Sequence, residues 1–421
     1  MIEVLHFICV LFVAVLSMYM VRHYIFSLVA LSNKGGQPQY VLHGLSFRPT
    51  VSILIPARNE EAVVGRLLHR TTQLTYPKDK LEVILINDAS TDDTGKIADE
   101  FAKAYSFIRV VHRSPDIGGR GKPSALNDGV RHANGEIVLL LDADYYPQVD
   151  IVEKLAGYFV DPEVGVVQGR IAVLNEPATL VSRLVALERI GGYGVDQLAR
   201  DRLGLVAQCG GTVCGIRRSL LEHLGGWDEK MLTEDTDLTF QAYEAGYKVR
   251  YANEAECYEE AVENWRSYWK QRHRWAKGHM QCFFKHFIPF LKSRNLTLWE
   301  KVDGLLILGM YFVPILIGLS WILGAMIFFI YPVDWFNSVW ALIPLLTYSS
   351  AGNLASFFEV GAGIYLDRRV RTSWIIPVLL LAFAVNVLVC SKALFDLVIS
   401  KITGRKAHEW AKTVHTGGVC K

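Results

Sequence analysis

The sequence has no CxxC pair, almost no net charge and fewer charged residues than an ordinary soluble domain. Its seven cysteines are scattered at Cys9, Cys209, Cys214, Cys257, Cys282, Cys390 and Cys420. That spacing suggests neither a zinc ribbon nor a dithiol redox motif, and an odd, scattered set suits a reducing compartment. Lys and Arg number 44 against 42 Asp and Glu, a formal net charge of +2. Without a basic excess there is no electrostatic footprint for nucleic acid, which is not an expected partner. Charged residues make up 20% of the 421 positions and hydrophobic ones 51%, whereas soluble domains average about 25% charge. The composition excludes a disordered chain and a small disulfide scaffold. The length allows two or three domains.

The apolar residues are concentrated. Leu5 to Leu31 is nearly continuous and begins after Glu3 rather than a basic cluster. It is longer than the apolar stretch of a cleaved signal peptide and reads as a permanent membrane anchor over residues 1–33. Apolar runs return at Leu305–Tyr331, Trp340–Leu366 and Trp374–Ile399, so residues 301–400 read as transmembrane or interfacial helices. Gln281–Leu291, rich in Phe with basic neighbours, suits a helix lying in the bilayer interface, within a segment 266–300. Basic residues set the orientation. Lys34 and Arg48 follow the first run, Lys292, Arg294 and Lys301 precede the second, and Arg368, Arg369 and Arg371 follow the third. These places read as cytoplasmic at a plasma (inner) membrane, and the Val333–Ser338 loop, with no Lys or Arg, as external. The tail basics Lys401, Arg405, Lys406 and Lys412 conflict with a full last span. Lys392 and Asp396 interrupt that run, which reads as short or broken.

Residues 45–265 differ in kind. Val51–Pro56, Leu81–Ile86 and Ile137–Leu141 are short apolar runs, and Glu61–Leu74 and Asp92–Tyr105 have helical spacing. Strands alternating with helices predict a mostly parallel α/β sheet covered on both faces.

Four motifs carry chemistry. Asp88 ends the second strand, where α/β sheets bind ligands, though the stretch to Asp92 is also turn and helix-cap chemistry. Asp142-Ala143-Asp144 ends the third strand. Two carboxylates after a buried apolar run can share a hard cation, Mg²⁺ or Mn²⁺, together with substrate phosphates. Thr233-Glu234-Asp235 precedes a helical pattern and offers either dipole-complementing acids or a general base. Gln271-Arg272-His273-Arg274-Trp275 supplies guanidinium groups for phosphate and an indole for a sugar face, or an interfacial belt.

In this order, followed by apolar spans, the motifs resemble the processive membrane glycosyltransferases of family 2, the cellulose, hyaluronan and poly-N-acetylglucosamine synthases. The likeness covers about residues 49–300 by motif. It implies a glycosyltransferase-A-type domain between N- and C-terminal transmembrane helices. It also implies inverting transfer of glucose or N-acetylglucosamine from a UDP-sugar donor to a growing β-linked glycan acceptor. By that resemblance Asp88 contacts the uracil or ribose, Asp142 lies near the phosphates, and Asp144 binds Mg²⁺ or Mn²⁺. Asp235, with Glu234 beside it, activates the acceptor. Gln271, Arg274 and Trp275 hold the diphosphate and acceptor. Pro56, Asn59 and Glu60 resemble one nucleotide loop, and Lys122 sits near phosphate in a second, Gly121–Asn127. Gly210-Gly211-Thr212 with Arg217-Arg218 resembles the acceptor-site segment. Glu409–Thr413 and Gly417, in the cytoplasmic tail 401–421, are similar to the family's gating segment. Partners implied are the lipid bilayer and, in some members, accessory membrane or export subunits. Two rivals stand: a non-processive enzyme that glycosylates a membrane lipid, and a transporter with a nucleotide-binding domain.

Overall fold

A computed structural model of the chain describes residues 2–32, 47–330, 339–404 and 417. The gating-like stretch Glu409–Thr413 lies outside them. Its centre is one eight-stranded sheet. The strands are β1 (Val51–Ala57), β2 (Leu81–Asp88), β3 (Ile108–Arg113), β4 (Ile137–Leu140), β5 (Tyr146–Pro147), β6 (Val164–Val173), β7 (Cys214–Arg217) and β8 (Lys248–Glu259), in the order 3-2-1-4-7-6-8-5. The three apolar runs expected as strands are β1, β2 and β4. Ile53, Leu54, Ile55, Val83, Ile84, Leu85 and Ile86 are fully buried, as strands covered on both faces must be. The helix Val64–Thr72 covers them with Val64, Leu67, Leu68 and Thr71, a three-to-four spacing.

The sheet is interrupted by two reversed strands. β3, β2, β1 and β4 run together, whereas β7 is antiparallel to β4 and β6, and β5 to β8. β6 and β8 are parallel, with register irregularities. Six of the eight strands therefore run the same way, so the sheet is mostly parallel as expected, with β5 and β7 reversed. The reversed strands β5 and β7 are two and four residues long, too short to leave a period in the sequence.

The direction of each strand decides where the site lies. β1, β2 and β4 end at one sheet edge, and antiparallel β7 begins there, with Leu140 opposite Cys214. Three further helices close over that edge. The first runs from Leu180 to Leu203 and passes through a π-helical turn at Gly192–Gln197. The second is Trp265–Lys292, capped by Asn264, whose Oδ1 accepts the Ser267 N–H at 2.9 Å. The third is Leu298–Gly309, which breaks at a 3-10 turn, Met310–Phe312, before Val313–Ile330 continues. Gly309 and Pro314 account for the break.

Among the described residues three helices are long and apolar enough to cross a membrane: Val10–Leu31, Leu298–Met326 and Thr372–Thr403. They match three of the four expected apolar runs. Trp340–Leu366 does form one helix, Val339–Leu366, but it is not among the three. Polar residues from Thr347 to Ser350, Asn353 and Glu359 dilute it, and it packs on the N-terminal helix and on Leu180–Gly191. Phe7, Leu11, Met18, Val21, Ile25 and Leu28 leave an apolar stripe exposed on the N-terminal helix, while Tyr19, Phe26 and Ala30 are buried.

Candidate active site

A cleft of about 380 Å³ opens at this sheet edge. Of the twelve side chains expected to carry function, eleven line it: Pro56, Glu60, Asp88, Lys122, Asp142, Asp144, Glu234, Asp235, Gln271, Arg274 and Trp275. Asn59 does not. It adopts φ +52°, a conformation Asn tolerates. Its Oδ1 accepts the Thr91 N–H at 2.8 Å and its own N–H donates to Ser90 Oγ at 3.0 Å. It pins the loop after β1 to the loop after β2. Arg217 and Arg218 also lie elsewhere. β7 runs away from the cleft, so its end pairs with the start of β4, and both arginines donate to backbone carbonyls of Phe159, Asp161, Val164 and Ala133.

One wall comes from strand ends. Asp88 is buried at the end of β2 and pairs with Arg113, and its Oδ1 accepts the Gly119 N–H at 2.9 Å. Arg113 in turn donates to Ser124 Oγ and Ile117 O, both at 2.9 Å. Asp88 is therefore fixed in place, with its lining atoms presented to the cleft. Lys122 starts the helix Lys122–His132. Its Nζ lies 2.5 Å from Asp142 Oδ1 and donates to Gly211 O at 2.9 Å. Burial works against this ammonium, but Asp142, Glu234 and Asp235 outweigh it and hold its pKa above the ordinary value. The Asp142 N–H donates to Thr212 Oγ1 at 3.0 Å, so strand ends β4 and β7 are tied at the site.

Glu234 and Asp235 form the first turn of the helix Glu234–Glu244. Burial pushes the Glu234 carboxyl up to about 7, and the neighbouring Asp235 charge adds to this. Burial also raises Asp235. A carboxylate with a raised pKa is a stronger base, as proton abstraction from a hydroxyl requires. Two glycines permit the close packing here. Gly211 has φ +79°, and a Cβ on it would come within 3.0 Å of Asp235 Oδ2. A Cβ on Gly278 would come within 2.8 Å of Thr233 Oγ1, so only glycine lets the helix Trp265–Lys292 approach this turn.

That helix forms the second wall. Gln271, Arg274, Trp275 and His279 share one face at helical spacing. Burial lowers the Arg274 pKa against the opposing pull of Glu234, Asp235 and Asp142, so its charge faces the carboxylates. Arg272 points elsewhere. It pairs with Glu188 and lies over the Trp275 ring, 4.3 Å from its centroid. Arg189 lies 5.3 Å from the same ring and grips Glu259 through two nitrogens at 2.5 and 3.0 Å. Trp275 is thereby held by two guanidinium groups.

Sequence reasoning missed the Leu180–Leu203 helix, which contributes Arg189, Tyr193, Asp196, Gln197 and Arg200, and also Met310 and Tyr311 from the helix break. Their signal was faint: charges recurring four apart, Asp196 and Arg200, inside an otherwise apolar helical pattern.

The donor set suits a hard cation only in part. Asp142 and Asp144 offer carboxylate oxygens, the right chemistry for Mg²⁺ or Mn²⁺. Among the described residues no group of three or more His, Cys, Asp or Glu is gathered to hold a metal, and Asp142 is already paired with Lys122. The protein thus fits an ion whose remaining ligands come from diphosphate and water.

A mixed sheet with carboxylates at its strand ends, facing cations across a cleft, defines a transferase of glycosyltransferase-A type. Residues 49–278 match the family described as "Glycosyltransferase like family 2", and the chain belongs to that family. It is 41% identical over 253 residues to a probable glycosyltransferase, YdaM, of Bacillus subtilis, covering 59% of each chain. It is 34% identical over 268 residues to a beta-monoglucosyldiacylglycerol synthase of Nostoc, covering 63% of this chain and 56% of that one. It is 29% identical over 255 residues to a poly-beta-1,6-N-acetyl-D-glucosamine synthase of Staphylococcus epidermidis, covering 59% of each. The match spans less than two thirds of the length of these relatives. Among solved structures, a mannosyltransferase from Pyrobaculum calidifontis in complex with GDP-mannose and Mn²⁺ shares the fold. Its TM-score is 0.55 at 22% identity, covering 84% of this chain and 99% of that one.

Proposed function

We propose that the protein transfers a sugar, with inversion, from a UDP-sugar to an acceptor held at the membrane, and that this acceptor is a growing β-linked glycan. The observation that carries the reading is convergence. Acids from three separate strand-end or helix-start motifs, Lys122 and Arg274 meet in one cleft whose far wall reaches Met310 and Tyr311, at the break in an apolar helix. Asp235 removes the proton from the acceptor hydroxyl as that oxygen attacks the anomeric carbon, and the bond to the diphosphate breaks. Lys122 and Arg274 draw the diphosphate's negative charge toward them. Asp144, with Asp142, would hold Mg²⁺ or Mn²⁺, whose charge would offset that of the leaving diphosphate. Asp88 contacts the nucleoside. Gln271 and Trp275 support the acceptor, with Glu234 tuning the charge beside Asp235.

The domain plan accompanies this reading: an anchor at 1–33, a catalytic unit at 45–265 on the cytoplasmic side, the motif helix within 266–300, and membrane helices at 301–400. A second reading, transfer to a membrane lipid, is favoured by the 34% identity to a glucosyldiacylglycerol synthase, against 29% to the polymer synthase.

The test is turnover by protein purified into nanodiscs. UDP-glucose, UDP-N-acetylglucosamine and UDP-galactose are offered separately with Mg²⁺ or Mn²⁺, and GDP-mannose serves as a control. Nucleotide release with one UDP-sugar and a long glycan product supports the main reading. A small lipid-soluble product selects the second, and release only from GDP-mannose overturns the donor assignment.

A further inference from the structure

We propose that Arg22, on the apolar N-terminal helix, is a positioning residue for the acceptor wall of the cleft. Both carboxylate oxygens of Asp196 accept from Arg22 Nη2, at 2.7 and 2.5 Å. Asp196 sits in the π-helical turn and lines the cleft. Arg200, one turn further on, reaches Asp196 at 3.3 Å and Asp303 at 3.4 Å. Asp303 belongs to the helix Leu298–Gly309 and accepts the Val206 N–H at 3.2 Å. Two arginines and two aspartates thus join an apolar N-terminal helix, the cleft wall and a second apolar helix.

Their chemistry argues for placement rather than adhesion. Arg is costly inside an apolar helix and is kept there facing protein, for function. A buried ion pair adds little net stability over well-packed apolar side chains, but it fixes geometry. Burial works against the Asp196 carboxylate, yet Arg200 and Arg22 hold its pKa down at about 2, so this carboxylate is charged where it meets Arg22.

The link continues to the proposed base. Gln197, beside Asp196, accepts the Gln208 N–H at 3.0 Å and donates to Gln208 O at 2.6 Å. Gln208 Nε2 donates to Thr236 Oγ1 at 3.0 Å, and the Thr236 N–H donates to Asp235 Oδ1 at 2.7 Å. Across the Asp196–Gln197 peptide, polar contacts therefore run from the N-terminal helix to Asp235. The strand-end wall, with Asp88, is not part of it. A shift at Arg22 is transmitted to where the acceptor and base meet and leaves nucleotide binding alone.

This inference rests on the transferase reading above, and the experiment separates the two. Arg22→Gln, Arg22→Lys and Gln208→Leu are compared with the parent in nanodiscs by nucleotide release, nucleotide affinity and amide hydrogen exchange. Arg22→Gln is expected to lower kcat roughly ten- to a hundredfold, the scale of a small misplacement of reacting groups. Nucleotide Kd should stay within about twofold, because Asp88 lies outside the chain of contacts. Exchange at residues 192–197 and 206–208 should quicken. Arg22→Lys, which keeps charge but loses the fork, should fall between. Parental kcat in Arg22→Gln, or nucleotide affinity falling in step with kcat, overturns the proposal. If Arg22→Gln does not fold, Gln208→Leu decides: unchanged kcat overturns it. A parent that releases no nucleotide from any donor instead defeats the transferase reading, and unchanged exchange at 192–197 then still overturns the positioning role.

Discussion

The two walls of the cleft are built by different physics. The strand-end wall hangs from parallel strands with fully buried runs such as Ile53–Ile55 and Val83–Ile86, and its functional groups are fixed by local hydrogen bonds within a few loops. The helix wall has no such frame. It is assembled from Leu180–Leu203, Trp265–Lys292 and the break at Met310–Phe312, held by long-range pairs such as Arg272 with Glu188 and Arg22 with Asp196. The first wall should therefore govern donor affinity and the second turnover. That division can be broken by experiment.

The largest effect belongs at the junction of the walls. Asp235→Asn should lower kcat about 10²- to 10⁴-fold, the usual worth of a general base, with nucleotide Kd unchanged in titration calorimetry. Loss of nucleotide binding in that variant would merge the two walls into one. Chelating divalent cations comes next. With no three-residue metal set among the described residues, EDTA should abolish nucleotide release while moving Tm by less than about a degree. A large fall in Tm would mean a structural ion. Asp88→Asn should raise nucleotide Kd roughly tenfold, the scale of a lost charged hydrogen bond, and leave kcat at saturating donor nearly intact. A kcat defect at saturation would blur the division.

The smallest expected effect is in pH. The Glu234 carboxyl rises from an ordinary 4.5 to about 7 in the folded protein, so the folded state holds this proton more tightly than the unfolded chain. Its contribution to stability is full below about pH 4.5 and is lost as pH rises through about 7. Glu234→Gln removes that loss. The variant should melt a few degrees above the parent at pH 8 and level with it at pH 4.5. Parallel melting curves at both values would show that Glu234 is not buried against a charge.

The same division explains what could be read in the sequence. β1, β2 and β4 were legible because strands buried on both faces are runs of Val, Ile and Leu, and the acids after them stood out against that background. Thr233-Glu234-Asp235 and the Gln271–Trp275 motif were legible by residue type and order. The Leu180–Leu203 part of the helix wall was not, because Arg189, Asp196 and Arg200 acquire meaning only through partners such as Glu259, Arg22 and Asp303, which lie far away in the chain. Asn59 was legible as a polar loop residue, but not its bonds to Thr91 and Ser90, which only the fold brings beside it. Arg217 misled because strand direction, which sends it away from the cleft, leaves no mark in a four-residue strand. Trp340–Leu366 was legible as an apolar run that forms one helix, but not its packing on the N-terminal helix and on Leu180–Gly191.

The most direct test of the whole account is product analysis with radiolabelled UDP-sugars in nanodiscs, for the parent and Asp235→Asn side by side. The account predicts that label from one donor enters a membrane-retained or long glycan product in the parent, and that Asp235→Asn binds the donor but transfers none. Label appearing only as free sugar, or equal transfer by Asp235→Asn, would contradict it.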